Sequence, residues 1–115
     1  MKTLPALVLA LSTTLNAADC DKLAIMVGIG KLDDKETTYF ASQEYEEVIQ
    51  YDYSQVLVLR DSDRDGKIDR ECRYSIYESK CNNRKDESHF EKFDKILAYC
   101  RDEAKKVTCI PDKKI

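Results

Sequence analysis

The sequence predicts an α+β fold: a small antiparallel β-sheet covered by a C-terminal amphipathic helix and stapled by disulfides. Three observations predict it. Apolar residues recur at helical spacing near the C-terminus, short β-branched or alternating runs fill the middle, and five cysteines follow an N-terminal segment laid out like an export signal.

That first segment reads "MKTLPALVLALSTTLNAADC". Lys2 supplies a positive start, Leu4 to Leu11 form an apolar run broken only by Pro5, and Ala17 and Ala18 offer small residues for cleavage. A signal peptide over residues 1–18 is therefore expected. The apolar run is much shorter than the roughly 20 residues that span a bilayer. Asp19 separates the small residues from Cys20, unlike a lipoprotein signal. Residues 19–115 then form a single small exported domain, secreted or periplasmic, with no membrane attachment after cleavage. At about a hundred residues it has room for one modest core.

"LAIMVGIG" (Leu23–Gly30) reads as a buried strand. "TTYFASQEYEEVIQY" (Thr37–Tyr51) is compatible with either period: Phe40, Ala41, Tyr45, Val48 and Ile49 fit a helix face. Val48–Tyr53 is read as a strand, because Tyr51 and Tyr53 run into the strong strand "SQVLVL" (Ser54–Leu59). "KIDRECRYSIY" (Lys67–Tyr77) places Ile68, Arg70, Cys72 and Tyr74 on one face of a further strand, and "NNRKDES" (Asn82–Ser88) is a polar loop. The helical stripe comprises Phe90, Phe93, Ile96, Leu97, Cys100, Ala104 and Val107. "SHFE" opens the helix as a capping box of Ser88 and Glu91, and Pro111 marks its exit. The tyrosines (Tyr39, Tyr45, Tyr51, Tyr53, Tyr74, Tyr77, Tyr99) are expected to pack in the core or on sheet faces.

Cys20, Cys72, Cys81, Cys100 and Cys109 form a disulfide framework in an oxidising compartment. An odd number leaves one thiol unpaired or intermolecular. Zinc is disfavoured, since no C-x-x-C occurs and the sole histidine, His89, has no ligand-spaced cysteine. Cys100 lies on the apolar stripe, so it should be buried and bonded to Cys72 or Cys20.

The formal charge is −3, from 19 basic and 22 acidic residues interspersed along the chain. Without a basic stripe to neutralise phosphates, a nucleic-acid partner has no electrostatic support. His89 reads as an exposed residue of the first helical turn. Neither it nor the unpaired cysteine has an organised partner, so the reading is non-enzymatic.

The sharpest motif is "DSDRDGKID" (Asp61–Asp69), with aspartates at alternate positions and then a glycine. Over this stretch alone the chain resembles EF-hand and dockerin-type D-x-D-x-D-G loops. The resemblance implies calcium held by Asp61, Asp63, Asp65, the Lys67 carbonyl and Asp69, with Gly66 at the turn and Ile68 as the apolar eighth position. The twelfth position, where a bidentate carboxylate belongs, is Cys72; Glu71, one residue early, projects to the side of Asp69 and offers a substitute. The alternative is a plain hairpin centred on Asp65-Gly66, which pairs Arg60 with Glu71, Asp61 with Arg70 and Leu59 with Cys72. A strand followed by D-x-D also resembles the nucleophile motif of haloacid-dehalogenase-type phosphatases, whose chemistry needs a doubly wound α/β domain.

Three functions follow. The first is an exported, disulfide-stabilised binding or structural module with a weak structural calcium loop. The second is a secreted inhibitor or effector that acts through contact with a protein partner and uses no metal. The third is a small hydrolase using the acidic cluster.

Overall fold

The computed structural model describes residues 20–114. The expected signal peptide (residues 1–18) and the domain's outermost positions, Asp19 and Ile115, lie outside the described residues. Six strands follow one another in sequence: β1 (Ala24–Leu32), β2 (Lys35–Ser42), β3 (Glu46–Tyr51), β4 (Val56–Asp61), β5 (Arg70–Tyr74) and β6 (Ser79–Asn83). They pair antiparallel in the order β1-β2-β3-β4-β5-β6, and the helix α1 (Glu87–Lys105) closes the domain. This is the predicted α+β architecture. No helix among the described residues is long and apolar enough to cross a membrane.

The turns explain the meander. Asp33 and Asp34 both adopt positive φ (53° and 62°), which sets a two-residue hairpin between Leu32 and Lys35. At the next hairpin, the Asp52 carboxylate accepts the amides of Ser54 and Gln55. That turn ends β3 at Tyr51, so the expected strand Val48–Tyr53 lies two residues too far along. The Ser75 hydroxyl accepts the amides of Tyr77 and Glu78 and likewise truncates the expected long strand at Tyr74. Thr37–Ser42, which also fitted a helix, is strand β2, paired on both sides.

Register puts alternate residues on one covered face. Tyr39, Val48, Leu59 and Glu71 form one row across β2–β5, and Ala41, Glu46 and Asp61 another. α1 lays Phe90, Phe93, Leu97, Cys100 and Ala104 on this face, closing a core with Ile25, Tyr39, Val48, Leu57, Leu59 and Ile68. Fully burying each such aliphatic side chain contributes roughly 1.5–3 kcal/mol. Val107 lies beyond the helix and is exposed, not part of the stripe. The helix starts earlier than the capping box implied. Asp86 is its N-cap and accepts both the amide and the hydroxyl of Ser88.

Two expectations are corrected here. Asn82 and Asn83 belong to β6, an edge strand whose side chains are all exposed, so it carries no hydrophobic alternation. Of the tyrosines only Tyr39 is in the core; Tyr53 and Tyr77 are almost fully exposed at the hairpin ends.

The disulfides are Cys20–Cys109 and Cys72–Cys81, and Cys100 is a free, buried thiol. Its burial is as expected, but the predicted bond to Cys72 or Cys20 is not formed. Cys72 points to the face opposite α1 and sits directly across β5–β6 from Cys81, with 4.0 Å between Cα atoms. Cys20 instead meets the segment that follows the helix. The helical stripe therefore faces no cysteine.

Candidate metal centre

Asp61 is the last residue of β4, in phase with Leu57 and Leu59, so its carboxylate enters the covered face and is fully buried. It accepts the amides of Asp65 (3.2 Å) and Gly66 (2.8 Å), folding the following residues back over it. That curl places Arg64 and Gly66 in the left-handed region (φ 58° and 89°), where glycine is free of the usual cost. The Asp65 carboxylate in turn accepts the Lys67 amide at 2.9 Å. The outcome is a group of three: Asp61, Asp63 and Asp65 each present a carboxylate oxygen within 4.8 Å of the others.

The carboxyls of Asp61 and Asp65 are driven in opposite directions. Burial pushes Asp61 up to about 7; the amide of Gly66 works against this, while Asp63 and Asp65 reinforce it. Burial also disfavours charge on Asp65, but the Lys67 amide and hydrogen bonds within the cluster outweigh it and hold that carboxyl below its ordinary value. A cation among the three would favour the ionised form of Asp61. Three carboxylates are a hard-oxygen set suited to calcium or magnesium, with carbonyls and water completing the shell.

The remaining predicted ligands lie differently. Both oxygens of Asp69 accept from Ser62, its amide at 2.7 Å and its hydroxyl at 2.9 Å, tying the neck of the loop. Lys67 is exposed, with its amide on Asp65. Glu71, the suggested substitute for the twelfth ligand, is buried on the covered face and bonded to His89 Nε2 at 2.7 Å, with Arg73 at 3.3 Å. His89 is thus more than an exposed first-turn residue.

The plain two-residue hairpin is also corrected. β4 and β5 pair Arg60 with Arg70, Leu59 with Glu71 and Val58 with Cys72, one residue away from the expected register. Residues 62–69 form the connection, a loop too long for a tight Asp-Gly turn. The sheet is antiparallel throughout, not the doubly wound architecture that haloacid-dehalogenase-type chemistry needs.

Three residues that sequence reasoning passed over hold this loop. Ile68 is buried; its amide donates to Asp94 of α1 (2.8 Å) and its carbonyl accepts from Arg84 (2.9 Å). Arg84 and Asp94 form a two-pronged ion pair at 2.9 and 3.0 Å. Arg64 reaches out of the loop to the Pro111 carbonyl, with its Nε 3.6 Å from the buried Glu46. Arg64 lay inside the motif without an assigned role, and nothing local in the sequence marked Arg84 or Asp94. No family model, curated protein or solved structure matches the chain.

Proposed function

We propose that this chain is a small exported binding or structural module whose Asp61–Asp65 loop holds calcium as a structural ion. The observation that carries the reading is the convergence of three carboxylates around a buried Asp61, on a backbone curled by its own amides. Two disulfides support export to an oxidising compartment. With Glu71 engaged by His89 and Asp69 by Ser62, the ion lacks a bidentate partner, so its dissociation constant is on the order of 10⁻⁴–10⁻³ M. The role is to stiffen the loop rather than to sense calcium. Calorimetric titration with calcium tests it: a single weak site is expected, and the absence of heat at several millimolar calcium overturns the reading.

A second reading, a secreted protein that acts through protein contact with no metal, is favoured by the opposite end of the sheet. There Tyr53, Ile76 and Tyr77 stand almost fully exposed on the β3–β4 and β5–β6 turns. Binding of a protein partner that is indifferent to chelation would select this reading.

A further inference from the structure

The two edges of the sheet are built differently. β6 is short, every side chain on it is exposed, and its sequence SKCNN is polar apart from Cys81. Its Lys80 is the kind of charge that discourages pairing at an edge. β1, at the other edge, has no such protection. Among the described residues, no backbone-to-backbone bond joins it to any element but β2. It is the longest of the six strands, and the run Leu23–Gly30 holds no charged residue in a chain that is 36% charged. Leu23 is 75% exposed and Met26 68%, and Val27, Ile29 and Leu32 are only partly buried against the core. A long, apolar, open edge of this kind is a template for a further strand.

The strand that fits this edge is the same stretch, reversed. Ala24–Gly28 pairs with β2 in unbroken register, and the bulge between Gly28 and Gly30 ends that regular segment. Ile25 and Val27 stand opposite Ala41 and Tyr39 on the covered face, while Met26, opposite Phe40, points to the open one. Turning the segment about Met26 sets Met26 against its own copy. The same turn sets Ile25 against Val27 of the second copy and Ala24 against Gly28. Every facing pair is then uncharged, each side chain keeps its face, and the half-open Val27 gains an apolar neighbour. Pairing with β6 of another copy would instead lay Lys80 and two asparagines along the apolar run. Self-pairing uses the same patch on both chains and so closes at two. We propose that this chain forms a symmetric dimer by antiparallel pairing of β1 with β1 of a second copy, centred on Met26.

The test is sedimentation velocity of the full oxidised chain over a wide range of concentration. One strand edge is smaller than a standard interface of roughly 1,600 Å², so a reversible dimer with a dissociation constant on the order of 10⁻⁵–10⁻⁴ M is expected. Met26→Lys and Met26→Glu, at an exposed site outside the core, should each weaken it roughly tenfold or more by setting like charges face to face. Mixing the two variants should restore a dimer, because a dyad at Met26 then brings opposite charges together. Lys80→Glu, on β6, should leave the dimer unchanged. A chain still monomeric at about 1 mM overturns the proposal and leaves the edge to an extended segment of a different protein. It is equally overturned by association growing past two copies, by Met26→Lys pairing as tightly as the natural chain, by failure of the mixed variants to pair, or by loss of the dimer in Lys80→Glu.

Discussion

The carboxylate of Glu46, wholly buried on β3, accepts the Nε–H of Arg101 from α1 at 2.8 Å, and a second bond from the same guanidinium closes a two-pronged pair. The Tyr39 hydroxyl donates to the same carboxylate, and Arg64 approaches from the acidic loop. Burial raises the Tyr39 phenol above its usual range, and the adjacent Glu46 adds to it. Burial would raise Glu46 too, but the bonds from Arg101 and Tyr39 outweigh it and hold the carboxyl below its ordinary 4.5. One buried charge therefore ties together sheet, helix and loop.

Glu46→Gln should cost roughly 3 kcal/mol, because it leaves Arg101 and Arg64 without their counter-charge. The pH dependence has a definite sign. A carboxyl depressed in the folded state contributes stability that is fully present above its unfolded value, 4.5, and lost as pH falls through the folded one. Melting curves of the natural chain should drop below about pH 4.5, and those of Glu46→Gln should drop less over the same window.

For the loop, about 1 mM calcium and a dissociation constant of about 0.1 mM give roughly 1.4 kcal/mol of stabilisation, or a rise of about 5–10 °C in Tm. Asp63→Asn should abolish most of that shift, since it removes a charge from the group of three while breaking no core contact. Asp69→Asn should reduce it less, because its carboxylate is occupied by Ser62. Equal effects of the two substitutions would place the ion elsewhere in the loop.

Cys100 should be silent in the folded protein. It is fully buried, and burial pushes its thiol up to about 12, with Glu103 adding to the effect. A thiol reagent at pH 8 should titrate no group in the native chain and one per chain in denaturant. Rapid labelling under native conditions would contradict the packing of α1.

The two disulfides should differ in weight. Cys20–Cys109 closes a separation of 89 residues and Cys72–Cys81 one of 9. Loop-closure entropy predicts roughly 4–5 kcal/mol for the first and roughly 2–3 for the second. Chemical denaturation of the paired Cys→Ser variants measures the difference.

Much of this fold was legible because local patterns carried it. The stripe from Phe90 to Ala104 identified α1, and "SQVLVL" identified β4. Its cap was misplaced because Asp86 and Ser88 are both good capping residues, and only the φ/ψ of the chain decides between them. β6 was illegible, since an edge strand with every side chain exposed has no period to read. Which cysteines pair depended on the register of β5 against β6 and on where the tail returns, both set by contacts distant in sequence. At the site, the spacing of Asp61, Asp63 and Asp65 was informative, whereas the fates of Asp69 and Glu71 rested on Ser62 and His89. Arg84 and Asp94, which grip Ile68, belong to other elements and could be found only once those elements were in place.

The sequential strand order has a consequence for the time course of assembly. Each hairpin joins neighbours along the chain, so little loop entropy opposes its formation and the sheet can zip up progressively from either end. Cys72 and Cys81 meet within one such hairpin and can oxidise early. Cys20 must wait for Cys109, and during that wait Cys100 is the nearer rival for Cys109 in sequence. Docking of α1 buries Cys100 against the sheet, in one core cluster with Phe93 and Leu97. Once α1 is docked, the native pairing of Cys109 with Cys20 has no accessible thiol at position 100 to compete with it.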